Sequence, residues 1–405
     1  MSMAGTVMTI CSSSHPAKTR LLTPKRRVTG RPSRRSAKQR VLHMRFLYFA
    51  AAALVALGLP FGVAHASMVS YSQLYVFGDS LSDVGNIYEL TDHNVPVSPP
   101  YAQGRFTNGK VWVQYLAEDL GLGPVTASLN GGNDFAYGAA QTGQTIAHKG
   151  LDVIDLPALD LTAQQVQYQA SAPAPASDAL YTLWIGANDI FAFINLYLDG
   201  ELAFSDAGTF ISQATSNVGV AVESLADSGM NHMLALNLPD LSKTPEVMAA
   251  ASTTENPSAA LAQVSDLTRM FNAALASRLQ DAAKEKDFDL TLVDTFTRVN
   301  QAAADPQAFG FSNVTDPCWT GTLGDPLSGI ICSHPEDYLF WDDVHPTWRG
   351  HQLMAELALA TLRTDATSVP EPGSGALFLF AILVMGATLA RRRRSAAAAK
   401  NSCAE

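Results

Sequence analysis

Three side chains of this sequence have the types and spacing needed for covalent catalysis. Ser80 lies in the segment FGDSLSD, directly after a short apolar run, and far downstream the segment WDDVHPT places Asp342 three residues before His345. A serine hydroxyl becomes a good nucleophile only when a neighbouring base takes its proton, and that base needs a partner that orients it and stabilises its cationic form. A hydroxyl, an imidazole and a carboxylate together therefore predict nucleophilic catalysis through a covalent intermediate.

The elements that must position these groups follow from hydrophobic periodicity. Short apolar runs bounded by Gly, Asn, Asp or Pro predict buried strands, and longer segments with an apolar stripe at three- or four-residue steps predict helices. The predicted strands are 74–77, 180–185, 233–238 and 290–293, with a further strand between 124 and 137. The predicted helices are 109–120, 161–170, 209–227, 258–286 and 347 to about 362. The alternation of the two predicts an α/β fold, with a parallel sheet covered by helices on both faces.

The predicted strand ends coincide with polar residues. Ser80 follows the first strand, and Asn188 and Asp189 follow the second. In open parallel sheets, sites form outside the carboxyl ends of the strands, so these residues are expected to meet at one edge. We expect a single catalytic domain over residues 67–368.

The two ends of the chain differ from this body in charge. Residues 1–66 and 369–405 hold 16 of the 27 basic residues but only two of the 37 acidic ones, which leaves the body with a formal charge of −24. A body of this charge repels nucleic acid and anionic membrane surfaces. Nucleic acid is therefore not an expected partner.

The N-terminal segment has the composition of a targeting sequence. Arg45 precedes an apolar run at 46–63, and Ala64-His65-Ala66 fits a small-residue cleavage site, so residues 44–66 predict a secretory signal peptide. The preceding basic stretch, 1–43, is compatible with translation that begins at Met44 or with a long basic leader. We expect signal peptidase to cleave after Ala66.

The C-terminal segment has a distinctive order of elements. Pro-Glu-Pro at 370–372 is followed by an apolar stretch at 375–390 and by four arginines at 391–394. The apolar stretch can just cross a bilayer, and the arginines would stay on the cytoplasmic side. Residues 369–395 resemble the PEP-CTERM sorting signal of Gram-negative bacteria. The resemblance implies transient membrane anchoring through 375–390, removal of the tail by an exosortase, and a secreted or cell-surface protein.

Two of the four cysteines lie in the body of the chain. Cys318 and Cys332 flank a loop that precedes Asp342. In an oxidising compartment a disulfide here would stabilise the fold by about 3 kcal/mol on the loop-entropy model. Metal binding by the pair is the less favoured alternative, because no other ligand cluster lies nearby.

Four segments in the same order resemble the motif blocks of the GDSL, or SGNH, hydrolases. They are GDSL at 78–81, GNDFAYGAA at 132–140, WIGAND at 184–189 and DDVHPT at 342–347. The resemblance runs from about residue 74 to 360. It implies a flavodoxin-like three-layer α/β/α sandwich and ester hydrolysis without a metal or cofactor.

The resemblance also implies roles for individual residues. Ser80 corresponds to the nucleophile, His345 to the general base, and Asp342 rather than Asp343 to the orienting acid, because two residues separate the family's carboxylate and imidazole. The oxyanion hole of the family corresponds to the Ser80 backbone N–H, a backbone N–H of the second block and the Asn188 side chain.

The donor of the second block has two candidates. Gly138 is the expected donor, and Ala139 is the alternative alignment.

Other motifs are interpreted as structural. The stretch GRFTNGK at 104–110 has the Gly and Lys spacing of a phosphate-binding loop, but Val111 stands where that loop needs Ser or Thr. The remaining histidines of the body lack a comparable Ser and Asp setting, and we expect them to be structural or solvated: His93, His148, His232, His334 and His351.

The sequence therefore predicts a secreted serine hydrolase of the lipase or esterase type, which takes a lipid or small ester as substrate. Two alternatives stay open: a non-catalytic surface or matrix protein with the same fold, and an esterase that removes O-acetyl groups from glycans. We expect the loops at 88–106 and 305–335 to shape the acyl pocket.

Overall fold

The computed structural model describes residues 70–143, 159–171, 177–323 and 328–368 of the 405-residue chain. Six strands are seen in these residues: β1 (Leu74–Gly78), β2 (Leu180–Trp184), β3 (His232–Leu236), β4 (Asp289–Val293), β5 (Asn313–Pro317) and β6 (Tyr338–Phe340). The same residues contain nine α-helices: α1 (Asn86–Leu90), α2 (Trp112–Asp119), α3 (Leu161–Ser171), α4 (Ala187–Leu198), α5 (Ala207–Asp227), α6 (Pro245–Ser252), α7 (Pro257–Lys286), α8 (Thr295–Ala304) and α9 (Trp348–Ser368).

The central element is a parallel sheet in the order β1-β2-β3-β4. Strands β1 to β3 are largely apolar because both of their faces are covered, whereas in β4 only Val293 is buried. Alternate residues of β1 belong to two different cores: Phe77 packs in one with Phe271 of α7, and Val76 packs in the other with Trp112 of α2. Helices thus cover both faces, which confirms the predicted three-layer α/β/α architecture. The short strands β5 and β6 form a separate parallel pair.

The predicted strand between residues 124 and 137 is wrong as secondary structure, although the segment lies beside β1. Val76 forms two backbone hydrogen bonds with this segment: its N–H donates to the carbonyl of Asn133 at 3.0 Å, and its carbonyl accepts the N–H of Phe135 at 2.8 Å. Only one residue, Asp134, forms a bridge to β1. Its carboxylate accepts the N–H of Ala136, two residues further on, at 2.9 Å, which is the local bond of an Asx turn and not of a strand ladder.

The five predicted helices are present, with ends shifted by a few residues, as are the four other predicted strands. Four helices were not predicted: α1, α4, α6 and α8. Two of these have N-terminal caps that are visible in the sequence. Thr244 caps α6 ahead of Pro245, and Asp294 caps α8 by accepting the N–H of Thr297 at 3.0 Å.

Several predictions concern residues outside those described. These are the leader and signal peptide at 1–66, the sorting tail at 369–395 with its membrane helix at 375–390, and His148. Within the described ranges no helix combines the length and the apolar character that a bilayer span needs. The disulfide between Cys318 and Cys332 is formed, with a Cα–Cα distance of 4.9 Å.

The end of β1 is a position where only glycine fits. Gly78 has a φ of +154°, and a Cβ added there would lie 2.4 Å from the backbone oxygen of Trp184 on β2. Its N–H donates to Gln164 Oε1 at 3.0 Å, and its carbonyl accepts from Gln164 Nε2 at 2.7 Å. Gln164 therefore holds the backbone two residues before Ser80 from both sides.

We predict that Gly78→Ala lowers the free energy of unfolding by about 2 kcal/mol or more, because a backbone contact cannot give way as a flexible side chain can. Urea unfolding followed by far-UV circular dichroism measures the change. Gly123→Ala is the matched control, because nothing lies within 4 Å of a Cβ added at Gly123. Equal unfolding free energies for the two variants would contradict the prediction.

Candidate active site

Ser80 lies in a tight turn at the carboxyl end of β1. The carbonyl of Asp79 accepts the N–H groups of Ser82 and Asp83, each at 3.0 Å, so the chain reverses immediately after the strand. This turn places Ser80 at the sheet edge where the carboxyl ends of parallel strands open to a pocket. Ser80 is 9% exposed and lines that pocket.

Three of the predicted residues come together at this edge. Ser80 Oγ lies 2.8 Å from Nε2 of His345, and Nδ1 of His345 lies 2.8 Å from Oδ2 and 3.0 Å from Oδ1 of Asp342. Ser80 and His345 are 265 positions apart in sequence. Asp343, the neighbouring carboxylate, is exposed, and its backbone carbonyl accepts the N–H of Glu246 at 2.9 Å.

Asp342 is buried and accepts four hydrogen bonds. Its Oδ1 accepts the backbone N–H groups of Val344 at 2.9 Å and His345 at 2.6 Å, while its Oδ2 accepts the hydroxyl of Tyr101 at 2.7 Å. The fourth bond comes from the His345 ring. The carboxylate therefore has donors from its own turn and from a distant loop, which satisfies its charge away from water.

The two partners shift each other's pKa in opposite directions. Burial alone would raise the pKa of Asp342, but the charge and hydrogen bonds of His345, with help from Tyr101, bring it below its ordinary value. Burial alone would lower the pKa of His345, but the Asp342 carboxylate outweighs it and raises that pKa. Asp342 therefore stays ionised and favours a positive charge on the imidazole.

Asn188 lies in the first turn of α4, directly after β2. Its Nδ2 donates to the carbonyl of Ala140 at 2.8 Å, and the residue lines the same pocket as Ser80. The hydrogen bond fixes the amide orientation. The other hydrogen of this amide has no acceptor among the described residues, so it is available to a group bound in the pocket.

The expected role of Gly138 as the second oxyanion donor does not fit its hydrogen bonding. The N–H of Gly138 donates to Asp83 Oδ2 at 2.9 Å, so it is used within the protein. Glycine is required there because a Cβ would lie 2.5 Å from the Phe106 ring. Ala139, the alternative, lines the pocket with a φ of +63°, and its N–H has no acceptor among the described residues.

A buried carboxylate that the sequence did not single out holds this part of the site. Asp83 accepts the N–H groups of Gly85 at 2.7 Å, Asn86 at 2.6 Å, Ile87 at 3.2 Å and Gly138 at 2.9 Å. Burial raises its pKa to about 6, against the opposing effect of these donors. One side chain thus ties the start of α1 to the backbone next to Ala139.

A second buried carboxylate lies beside Ser80. Asp79 is 1% exposed, and its Oδ1 accepts the N–H of Leu81 at 3.0 Å. Its Oδ2 has no hydrogen-bond partner among the described residues. Burial, only partly offset by the Leu81 N–H and the charge of His345, raises its pKa to about 7.

The pocket around Ser80 has a volume of about 520 Å³ and is largely apolar. Its apolar wall includes Leu81, Phe106, Phe191, Leu241 and Leu323. Its charged lining consists of carboxylates and His345, and no Lys or Arg of the described residues lines it. The loops predicted to shape the pocket contribute to it, through Tyr101 and Phe106 from the first and 321–323 from the second.

The segment GRFTNGK at 104–110 packs against the His345 turn. Thr107 Oγ1 donates to the carbonyl of Pro346 at 2.8 Å, and Asn108 Oδ1 accepts the N–H of Trp348 at 2.8 Å. Arg105 Nε donates to the carbonyl of Gly109 at 2.7 Å. These contacts make the segment a brace for the loop that carries His345.

The other described histidines lie apart from any comparable serine. His93, His232 and His334 each contact a surface carboxylate at 3.1–3.4 Å. His351 is fully buried in α9, where burial lowers its pKa to about 3 and its Nδ1 accepts the N–H of Trp112. Only His345 has both a hydroxyl and a carboxylate on its ring nitrogens among these described histidines.

Comparison with known proteins gives the chain a family. Residues 74–358 match the family model described as GDSL-like Lipase/Acylhydrolase, and residues 368–394 match the PEP-CTERM protein-sorting motif. A phosphatidylcholine-sterol acyltransferase of Aeromonas hydrophila is 26% identical over 339 residues, which cover 74% of this chain and 92% of that protein. A thermolabile hemolysin of Vibrio parahaemolyticus is 26% identical over 71% of this chain and 63% of its own length.

One further relative carries a different description. A protein of Arabidopsis thaliana that is 27% identical, over 74% of this chain and 73% of its own length, is described as an inactive GDSL esterase/lipase-like protein. The family model spans well over half of the sequence and includes all four motif blocks. The chain therefore belongs to the GDSL-like lipase/acylhydrolase family, as a hydrolase that acts on esters and carries a C-terminal PEP-CTERM sorting motif.

Proposed function

We propose that the protein is an exported serine esterase that works through a Ser80 acyl-enzyme, with His345 as general base and Asp342 as orienting acid. The observation that supports this most directly is the continuous hydrogen-bonded line from Ser80 Oγ through the His345 ring to Asp342, with both contacts at 2.8 Å. These distances lie within the range that proton transfer between a nucleophile and its base requires.

The reaction proceeds in two halves. His345 Nε2 takes the Ser80 proton as Oγ attacks the ester carbonyl, and the imidazolium then gives that proton to the leaving alcohol. The acyl group is now on Ser80. In the second half His345 takes a proton from water, the hydroxide attacks the acyl-enzyme, and the proton returns to Ser80 as the acid leaves. Asp342 holds the tautomer with Nδ1–H throughout and stabilises the transient imidazolium.

The negative oxygen of the tetrahedral intermediate needs donors that are already in place. In this proposal they are the Ser80 N–H, the Ala139 N–H and the free hydrogen of Asn188 Nδ2. The Asp83 carboxylate holds the neighbouring Gly138 N–H, and the carbonyl of Ala140 orients the Asn188 amide. Each preorganised donor contributes about 3–4 kcal/mol to transition-state stabilisation.

The pocket favours an uncharged, largely apolar acyl group. Its apolar lining and its volume of about 520 Å³ suit a short or medium acyl chain or part of a lipid. We therefore take a lipid or small carboxylic ester as the substrate class. An acetylated glycan is the second candidate, with Asn188 and the acidic residues at the mouth as its hydrogen-bonding partners.

Export completes the proposal. The PEP-CTERM motif at 368–394 indicates sorting to the cell surface or the exterior in Gram-negative bacteria. In this scheme signal peptidase removes residues 1–66, the apolar stretch at 375–390 holds the precursor in the membrane, and an exosortase releases it. The disulfide between Cys318 and Cys332 agrees with an oxidising destination.

Replacement of Ser80 distinguishes the esterase from a non-catalytic protein with the same fold. We expect the purified protein to hydrolyse p-nitrophenyl butyrate and to react with a fluorophosphonate probe. Ser80→Ala should lower kcat by about 10⁴-fold or more and abolish labelling, because the nucleophile is lost. Ser212→Ala, at an exposed serine of α5 that does not line the pocket, is the control and should keep both. A folded wild-type protein that neither labels nor turns over would favour the non-catalytic alternative.

The raised pKa of His345 predicts the acid limb of the pH profile. The general base must be neutral, so activity is present above the His345 pKa and is lost as the pH falls through it. Asp342 raises that pKa above the ordinary histidine value of about 6.5. As the pH is lowered, kcat/KM should therefore start to decrease while the pH is still above about 6.5, and then drop about tenfold per pH unit. Initial rates between pH 5 and pH 9 measure this. Constant kcat/KM down to pH 5.5 would contradict it.

The carboxylates of the pocket predict discrimination by charge. Glu246 and Asp343 are exposed at its mouth, and Asp79 and Asp342 lie deeper. We expect p-nitrophenyl hemisuccinate to have at least about tenfold lower kcat/KM than p-nitrophenyl butyrate at low salt, because its carboxylate meets like charge.

The ratio of kcat/KM for p-nitrophenyl butyrate to kcat/KM for p-nitrophenyl hemisuccinate should decrease in 0.5 M NaCl and in the Glu246→Gln variant. Asp281→Asn, which removes an exposed carboxylate that does not line the pocket, should leave it unchanged. Equal rates for the two esters at low salt would show that the mouth does not select by charge.

A further inference from the structure

Tyr101 contacts the Asp342 carboxylate from outside all four motif blocks. Its hydroxyl donates to Asp342 Oδ2 at 2.7 Å, across 241 positions of sequence, and the residue is 3% exposed. Burial and the adjacent Asp342 raise the pKa of this phenol, so it stays protonated and acts only as a donor toward the carboxylate.

The Tyr101 ring is held by aromatic contacts. It meets Trp319 edge-on, with ring centroids 5.1 Å apart and planes at 77°, and Phe106 at 6.2 Å and 66°. Trp319 in turn stacks on Trp341, the residue before Asp342, and the backbone N–H of Trp319 donates to the Trp341 carbonyl at 2.7 Å. The disulfide at Cys318 ties down the backbone next to Trp319. The hydroxyl is therefore fixed in place by packing on its own ring.

We propose that Tyr101 is a positioning residue for the Asp342–His345 pair. The proposal rests on the function proposed above and adds a fourth side chain to its machinery. Oδ2 of Asp342 accepts both the Tyr101 hydroxyl and His345 Nδ1, so the phenol fixes the oxygen that orients the imidazole. It also takes up part of the carboxylate's charge, which moderates how strongly that carboxylate holds a proton on His345.

Tyr101→Phe removes this donor and keeps the ring against Trp319. The carboxylate then interacts more strongly with the imidazolium, so the acid limb of kcat/KM should move to higher pH by about half a unit. The looser imidazole should lower the plateau value of kcat by about tenfold. KM for p-nitrophenyl butyrate should change less than about twofold, because the acyl pocket keeps its shape.

The titratable groups that face His345 remain in the variant. They are Asp342 from its own turn, Asp79 from the end of β1, Glu246 from α6 and the buried His351 from α9. Since none of them is altered, a shift of the acid limb reports the loss of the Tyr101 hydroxyl.

Tyr168→Phe is the matched control. Tyr168 is also buried, and its hydroxyl bonds that of Tyr181 in the core on the α7 side of the sheet. A purely structural role for a buried tyrosine hydroxyl predicts lower stability with an unchanged pH profile. We expect that result for Tyr168→Phe and the shifted profile for Tyr101→Phe.

The outcomes separate this inference from the proposed function. A folded wild-type protein that does not react with fluorophosphonate would contradict the proposed esterase function. An active wild type whose pH profile coincides with that of Tyr101→Phe would overturn the role of Tyr101 alone. If Tyr101→Phe does not fold, 3-fluorotyrosine incorporated at position 101 keeps the shape and donates more strongly. It should move the acid limb to lower pH, and an unmoved limb would equally overturn the role.

Discussion

The buried Asp342 carboxylate is the constraint on which the site depends. A carboxylate removed from water is costly unless donors surround it, and here the donors come from its own turn, from the His345 ring and from Tyr101. Once those bonds form, the imidazole has one orientation, with Nε2 directed at Ser80. The geometry that chemistry needs and the satisfaction of one buried charge are thus met by the same contacts.

A similar solution recurs under Ala139, the second oxyanion donor of our proposal. Asp83 is fully buried, and among the described residues its carboxylate accepts from backbone N–H groups alone. Backbone donors cannot swing away as a lysine can, so the carboxylate joins the start of α1 and the Gly138 backbone with little freedom. In a body with few basic residues, backbone donors are also the abundant partner for buried acids.

The sequence predicted the parts of the fold and site that rest on local patterns. The strands were visible as short apolar runs, and β1 to β3 are buried on both faces. The separation of Asp342 and His345 reflects a turn in which the Asp342 carboxylate accepts the N–H of His345. Helix α4 was missed because its first turn holds the polar residues Asn188 and Asp189, which we interpreted only as the end of a strand. The choice between Gly138 and Ala139 depended on which backbone N–H donates to Asp83, 55 positions away in sequence. Hydrophobic periodicity carries no information about such a contact.

The contact between Tyr101 and Asp342 could not be predicted from the sequence either. Nothing in its neighbourhood along the chain indicates a partner 241 positions away, and an isolated tyrosine in a loop is usually explained by packing. The contact becomes visible only when the loop after α1, the disulfide-closed segment and the turn after β6 lie together. Two of these three segments belong to the loops that shape the pocket, so substrate selection and the support of Asp342 share the same structure. A substitution of Phe106, which lines the pocket, therefore also acts on Asp342, because the Phe106 ring contacts Tyr101.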